Sequence, residues 1–246
     1  MNFETLGSKY QGAVASGYEA KRLDRKWVAE QETAEELLRR IPAQSKVLDV
    51  PVGTGRLIPI LASCGLLITG LDASADMLAE ARQCARRSGA RVELKQGDIR
   101  SIPFPESSFD VVTCLRFLNW IDMQSVGNVL EEVSRVSSDK LLIGVRCLTP
   151  TSDMSLSARA LIWRGAQFVG LPSRRVRRWG MVLHDKREIE NVFEKLQLTV
   201  LERRLIERRW DSTDYVFYFL EKLKTDTASL RIDATRSRVL ASNGTV

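Results

Sequence analysis

Hydrophobic residues in the first two-thirds of the chain form short runs that alternate with amphipathic segments. Five runs predict strands, namely Lys46–Val50, Leu67–Leu71, Arg91–Gln96, Phe109–Leu115 and Lys140–Val145. Three segments between them predict helices, namely Arg56–Cys64, Ser74–Ser88 and Asp122–Ser137. Repeated strand–helix–strand order with apolar strands is typical of a parallel sheet covered on both faces. We therefore expect a doubly wound, Rossmann-like α/β fold.

The two ends of the chain follow other patterns. A helical pattern over Glu19–Arg40, ended by Pro42, predicts a helical cap in residues 1–44. Beyond Pro150, helices are predicted around Ser157–Phe168 and over Lys186–Leu196.

The last two apolar runs predict an antiparallel hairpin at the sheet edge. They are Leu198–Arg208 and Tyr215–Leu220, joined by the polar turn at 211–214. With these runs the sheet has seven strands. We expect the main domain to cover 45–224, with an insertion at about 151–183, and the polar tail at 225–246 to be flexible.

Composition supports one folded domain. The chain has 246 residues, of which 44% are hydrophobic and 28% charged, which excludes a disordered or fibrous protein. Four dispersed cysteines and one histidine form no paired ligand motif, so we expect no metal. The N-terminus lacks the pattern of a secretory signal, and the most apolar stretch, 57–71, is too short to span a bilayer. We therefore expect a cytoplasmic protein.

The net charge of +6 is concentrated in one segment. Residues 164–210 carry 12 basic and 6 acidic side chains, whereas the two flanking parts are each balanced. Concentrated positive charge attracts anionic partners, so this segment indicates either an anionic acceptor or surface, or a solvated basic face. No nucleic-acid recognition motif accompanies it.

Candidate chemistry lies at the ends of the predicted strands. The first strand ends at Asp49, and Gly53 and Gly55 follow in a turn where bare backbone can approach a ligand. Seventeen residues beyond Gly55, the second strand ends at Asp72, which can accept both hydroxyls of a ribose. Asp98 ends the third strand. Three acids at successive strand ends predict a nucleoside-sized site.

Together these segments resemble the class I S-adenosylmethionine-dependent methyltransferases over roughly residues 45–146. The resemblance implies that Asp49 orients the methionine amino group, Asp72 binds ribose and Asp98 meets the adenine amino group. Met77 and Ile99 would sandwich the adenine ring. The full implied set of cofactor-binding residues is Asp49, Val52, Gly53, Gly55, Asp72, Ala73, Met77, Asp98, Ile99 and Cys114.

Two features bear on this resemblance. The first glycine of the family pattern is Pro51 here, which leaves the two inner glycines intact. A nicotinamide-dinucleotide domain is the competing interpretation, but it requires a third glycine where this chain has Ile58.

The resemblance implies methyl transfer to a small acceptor that is aligned in line with the sulfonium. We expect the acceptor near Cys114, Arg116 and Asn119, beneath a lid formed by 151–183 and the N-terminal helix with Tyr18, Arg22 and Trp27. The Asn/Asp-Pro-Pro-Tyr signature of adenine methylation is absent from this place.

A base is required only if the acceptor must lose a proton, and His184 is the candidate catalytic residue for that step. A histidine in a surface turn is the alternative. Two other functions stay open: transfer of another group, such as aminopropyl, from a related nucleoside, and a non-catalytic scaffold that binds the cofactor.

Overall fold

The structure is a computed structural model, and it describes residues 25–148, 181–208 and 213–223. Several predicted features lie outside these ranges. They are the first part of the N-terminal helix with Tyr18 and Arg22, the helix at 157–168, most of the predicted lid, the basic run at 174–179, the first half of the turn at 211–214 and the tail.

The described elements begin and end close to the predicted bounds. The helices are α1 (Arg25–Leu38), α2 (Ile58–Ser63), α3 (Ala75–Ser88), α4 (Met123–Val136) and α5 (Lys186–Lys195). A 3-10 helix covers Leu118–Trp120. The strands are β1 (Lys46–Asp49), β2 (Leu67–Asp72), β3 (Val92–Gln96), β4 (Phe109–Cys114), β5 (Ser137–Leu148), β6 (His184–Asp185), β7 (Leu198–Arg208) and β8 (Thr213–Lys222).

One mixed sheet contains all of these strands. Seven lie in the order β3-β2-β1-β4-β5-β8-β7, and β6 pairs separately with β5. The first five strands are parallel to one another, whereas β8 is antiparallel to β5 and β7 is antiparallel to β8. The predicted doubly wound sheet and its C-terminal antiparallel hairpin are confirmed.

The structure differs from the sequence prediction at β5 and β6. Strand β5 is 12 residues long because β8 pairs with it along its length, from Lys140 opposite Glu221 to Leu148 opposite Thr213. Strand β6 has only two residues, one of them buried. So short a polar strand has no periodicity, so the sequence could not predict it.

Side-chain caps fix the starts of the helices near the sheet edge. The Ser74 hydroxyl accepts from the backbone N–H of Met77 at the start of α3. Asp122 caps α4 in the same way, through the N–H of Ser125. Each cap satisfies a donor that the first helical turn leaves unpaired. Ser74 lies two residues after the end of β2, so this cap also fixes the position of Met77 relative to that strand.

Hydrophobic layers cover both faces of the sheet. On one face α4 and α5 bury Leu130, Val133 and Phe193 against β4, β5 and β8. On the other face α1, α2 and α3 bury a second group, which includes Leu37 and Leu61. No helix in the described ranges combines the length and the apolar character needed to cross a membrane.

Gly144 on β5 tests the packing between β5, β8 and the end of β4. A Cβ atom there would lie 2.5 Å from the Tyr215 hydroxyl oxygen and 2.9 Å from Cδ2 of Leu115. We expect Gly144→Ala to lower the free energy of unfolding by about 1–3 kcal/mol, as overpacked cores do. Urea unfolding measures this change.

The matched control is Gly127→Ala in α4, where a Cβ meets nothing within 4 Å. An alanine in a helix interior stabilises the helix by about 0.5–1 kcal/mol relative to glycine. Equal effects of the two substitutions would contradict the packing described for Gly144.

Candidate active site

A cleft opens at the carboxyl ends of β1, β2, β3 and β4. Eight of the residues implied by the family resemblance line it, namely Asp49, Val52, Gly53, Asp72, Ala73, Met77, Asp98 and Ile99. Parallel pairing brings these strand ends to one edge of the sheet, with Asp49 opposite Gly70 and Thr113. The predicted residues therefore meet in space although they are separated in sequence.

The glycine turn presents bare backbone to the cleft. Gly53 has φ +55°, and a Cβ built on it would meet nothing within 4 Å. Its N–H donates to Oδ2 of Asp72 at 2.9 Å, and the N–H of Val52 donates to the Leu71 carbonyl at 2.8 Å. The end of β2 thus holds the turn in place while its open side faces the cleft.

Asp72 is buried and is fixed from two sides. Besides the bond from Gly53, its Oδ1 accepts from the backbone N–H of Ser74 at 2.9 Å. Burial raises the pKa of this carboxyl, and the backbone N–H groups partly oppose that rise. Because each carboxylate oxygen accepts two hydrogen bonds, a vicinal diol can bind the two positions that remain.

Asp49 is the second buried acid of the cleft. Its Oδ1 accepts from the Thr113 hydroxyl at 2.7 Å. Burial raises the pKa of Asp49 to about 7, the Thr113 hydroxyl and the Arg56 guanidinium lower it, and Asp72 raises it. A cation beside Asp49 would stabilise its ionised form, as an ammonium group does.

The other end of the cleft suits a flat ring. Met77 and Ile99 are buried and line it. Asp98 lies beside them, paired with Arg100, whose Nε donates to Oδ2 at 2.9 Å. This bond lowers the pKa of Asp98. Its carboxylate is therefore shared between Arg100 and any group bound in the cleft.

A charged cluster from three parts of the chain borders the cleft. Glu30 of α1, which is 1% exposed, accepts from Nη1 of Arg56 at 2.8 Å and from Nε of Arg116 at 2.8 Å. The guanidinium carbon of Arg116 lies 4.0 Å from the ring centre of Trp27, and that of Arg56 lies 4.9 Å from it. Two guanidinium groups and an indole therefore border the cleft.

Leu115, Phe117 and Trp120 also line the cleft, in the segment that follows β4. Trp27 and Arg116 were expected near the acceptor from their place in the sequence. Glu30 was missed, because one acidic residue in a helix carries no local signal of burial. Arg56 was also missed, although its position directly after the glycine turn could have indicated that it borders the cleft.

Gly55 and Cys114 lie behind the cleft, not in its lining. A Cβ on Gly55 would lie 3.0 Å from Cα of Ala81, so this glycine allows the turn to approach α3. Cys114 is fully buried in the core, where burial and Asp49 raise the pKa of its thiol. Its neighbour Leu115 faces the cleft instead.

His184, the predicted base, also lies away from the cleft. Its ring is 2% exposed, and its Nε2 donates to the Leu118 carbonyl oxygen at 2.8 Å. Asn119 has a related role, since its Nδ2 donates to the carbonyls of Arg146 and Val182 at 2.8 and 2.9 Å. Both side chains connect the segment before α5 to the 3-10 helix.

Residues 47–140, which contain every residue that lines the cleft except Trp27, match the family model of the methyltransferase domain. Over this segment the chain is similar to the class I S-adenosylmethionine-dependent methyltransferases. This result confirms the family predicted from the strand-end motifs and, with it, S-adenosylmethionine as the cofactor.

Two curated relatives illustrate the similarity. The malonyl-[acyl-carrier protein] O-methyltransferase of Enterobacter lignolyticus is 31% identical over 154 residues, which are 62% of this chain and 58% of that protein. The phosphatidylethanolamine N-methyltransferase of Cereibacter sphaeroides is 37% identical over 93 residues, 37% of this chain and 44% of that one. The chain thus spans less than two thirds of the length of these relatives.

Solved structures share the fold at low sequence identity. The magnesium protoporphyrin IX methyltransferase of Synechocystis PCC 6803, with bound SAH, has a TM-score of 0.68 at 15% identity. The match covers 90% of this chain and 100% of that one. The PH0226 protein of Pyrococcus horikoshii OT3 has a TM-score of 0.62 at 22% identity, with coverages of 82% and 94%.

The raised pKa of Asp49 predicts how the stability of the protein depends on pH. A pKa of about 7 in place of 3.8 means that the folded protein binds the proton more tightly than the unfolded chain. The contribution of Asp49 to stability is therefore full below pH 4 and is lost as the pH rises to 7, with an upper limit of about 4 kcal/mol.

Asp49→Asn cannot ionise at this position. We therefore expect the melting temperature of the cofactor-free variant, measured relative to that of wild type, to increase between pH 5 and pH 7.5. Asp110→Asn is the control, since Asp110 is exposed at the amino end of β4. A difference between Asp49→Asn and wild type that does not change with pH would refute this account of Asp49.

Proposed function

We propose that this protein transfers a methyl group from S-adenosylmethionine to a small acceptor bound beside Arg116, after β4. The observation that carries the proposal is the pair of buried carboxylates, Asp49 and Asp72, on either side of the open backbone at Gly53. When bound, S-adenosylmethionine supplies a methyl group that its positively charged sulfur already activates.

The residues of the cleft match the parts of that molecule. Asp72 accepts the ribose hydroxyls at the two positions that the N–H groups of Gly53 and Ser74 leave open. Met77 and Ile99 contact the adenine ring. Asp49 accepts the methionine ammonium, which favours the ionised carboxylate.

Arg56 extends this match to the methionine carboxylate. Its guanidinium lines the cleft and is close enough to Asp49 to lower the pKa of that carboxyl. A carboxylate and a guanidinium side by side complement an amino-acid zwitterion. A decarboxylated nucleoside, the donor in aminopropyl transfer, offers nothing to Arg56. This favours methyl transfer over the aminopropyl alternative.

The wall formed by Trp27, Arg116, Phe117 and Trp120 aligns the acceptor and excludes water. Catalysis of this kind depends on alignment, since holding two reactants in contact supplies about 7–11 kcal/mol in favourable cases. His184 has no part in the proposed reaction, because a general base must come within hydrogen-bond reach of the acceptor and its ring is buried elsewhere.

The names of the relatives do not agree on one acceptor. They include an O-methyltransferase of a malonyl-carrier protein, an N-methyltransferase of phosphatidylethanolamine and an O-methyltransferase of ubiquinone biosynthesis. Both the methylated atom and the size of the acceptor differ among them. We therefore propose a small-molecule acceptor, and we do not assign the substrate of any one relative to this chain.

Asp72 provides the direct test of cofactor binding. We expect Asp72→Ala to weaken binding of S-adenosylhomocysteine at least about 100-fold, because two hydrogen bonds to a charged group contribute about 1.5–3 kcal/mol each. Isothermal titration calorimetry measures the affinity, and circular dichroism checks folding.

Asp110→Ala, which removes a carboxylate at the opposite edge of the sheet, should bind like wild type. Unchanged affinity in folded Asp72→Ala would exclude the proposed site.

Arg56 distinguishes the two transfer reactions. We expect wild type to bind S-adenosylhomocysteine at least about tenfold more tightly than its decarboxylated analogue, since a charge-assisted hydrogen bond is lost. Arg56→Gln should reduce that ratio. Arg82→Gln is the control, since Arg82 is exposed on α3, and it should leave the ratio unchanged.

A preference for the decarboxylated analogue would instead support aminopropyl transfer. The scaffold alternative predicts cofactor binding without turnover, so a screen of acceptors with methyl-labelled S-adenosylmethionine, followed by product mass, decides between them.

A further inference from the structure

We propose that Arg146 forms a binding subsite for an anionic group, a carboxylate or a phosphate, on the methyl acceptor. The assignment to the acceptor rests on the function proposed above, whereas binding of an anion at Arg146 can be tested without it.

Arg146 lies in the carboxyl-terminal half of β5 and is 8% exposed. Its Nη2 pairs with Glu207 of β7. Its Nη1 is buried and has no hydrogen-bond partner within the described part of the chain. A buried donor on a charged group that remains unpaired costs about 1–3 kcal/mol or more. An anion that accepts from Nη1 removes this cost, so the position is suited to a ligand oxygen.

Tyr215 connects this guanidinium to the cleft. The guanidinium carbon of Arg146 lies 5.4 Å from the ring centre of Tyr215, and that of Arg116 lies 5.5 Å from the same centre. Arg116 lines the cleft, and its backbone N–H donates to the Tyr215 hydroxyl at 3.2 Å. Arg146 is therefore next to the cleft wall, with one aromatic ring between the two arginines.

The backbone of Arg146 is held firmly. Its N–H donates to Oδ1 of Asn119 at 2.7 Å, and its carbonyl accepts from Nδ2 of Asn119 at 2.8 Å. Trp120, the residue after Asn119, lines the cleft. A side chain on so fixed a backbone loses little freedom when it binds, which favours a specific subsite over a loose surface contact.

The local charge also favours an anion. Three guanidinium groups, from Arg56, Arg116 and Arg146, follow one another along this edge of the sheet, and the carboxylates of Glu30 and Glu207 pair with them. An acceptor whose reactive atom lies beside Arg116 can reach Arg146 with an acidic group that is about the width of one aromatic ring from that atom. The subsite therefore selects acceptors whose acidic group is separate from the methylated atom.

The test uses the whole chain saturated with S-adenosylhomocysteine. Inorganic phosphate and acetate, each exchanged for chloride at constant ionic strength, are titrated separately, and binding is followed by calorimetry and by melting temperature. We expect saturable binding in wild type that is at least tenfold weaker in Arg146→Gln. The more tightly bound of the two anions identifies the acidic group as a phosphate or a carboxylate.

Arg203→Gln is the control, because Arg203 on β7 is exposed, pairs with Glu190 and contacts Tyr218 in a similar way. It should bind both anions like wild type. If neither anion binds wild type saturably, or if Arg146→Gln and Arg203→Gln have equal effects, the subsite does not exist.

Glu207→Gln provides a second test if Arg146→Gln does not fold. Removing the carboxylate that competes for Arg146 should tighten binding of phosphate or acetate several-fold, and unchanged or weaker binding would overturn the proposal. Binding of S-adenosylhomocysteine should be unaltered in all three variants. If wild type does not bind S-adenosylhomocysteine, the proposed function is refuted, and the same anion titrations on the cofactor-free chain still test the subsite.

Discussion

The carboxylate of Asp72 is the constraint on which the cofactor side of the cleft depends. It ends β2, accepts from the N–H of Gly53 and from the N–H of Ser74, and so joins the glycine turn, the sheet and the start of α3. Those bonds hold a charge that burial disfavours, and the same bonds orient its remaining acceptor positions into the cleft. The geometry for a diol is thus present before any ligand arrives, which lowers the entropy lost on binding.

A second buried carboxylate organises the other wall. Glu30 of α1 receives hydrogen bonds from Arg56, which follows the glycine turn, and from Arg116, which follows β4. Removing one partner from a buried ion pair is costly, so these three elements keep one relative position. The N-terminal helix is therefore part of the site. The indole of Trp27 contacts the guanidinium groups of both Arg56 and Arg116, and so links the glycine turn to the segment after β4.

Electrostatics distinguishes the two ends of the cleft. Buried acids hold the end nearest the glycine turn, where they suit an ammonium group and hydroxyls. Guanidinium groups stacked with aromatic rings follow from Arg56 through Arg116 to Arg146, where they suit carboxylates or phosphates. A donor that carries a positive charge and an acceptor that carries a negative one would each meet complementary charge, and the apolar residues Leu115, Phe117 and Trp120 also line the cleft.

The sequence by itself determined the doubly wound sheet and many of the residues that line the cleft. Hydrophobic periodicity and strand-end motifs are local signals, and parallel strands bring Asp49 and Asp72 to one edge without further information. Only the tertiary structure decided which neighbouring side chains face the cleft. Cys114 and Gly55 lie in the packed interior, and His184 is buried within β6, the short strand that pairs with β5. Likewise, Glu30 meets partners 26 and 86 residues away, a distance over which a single sequence carries no pairing signal.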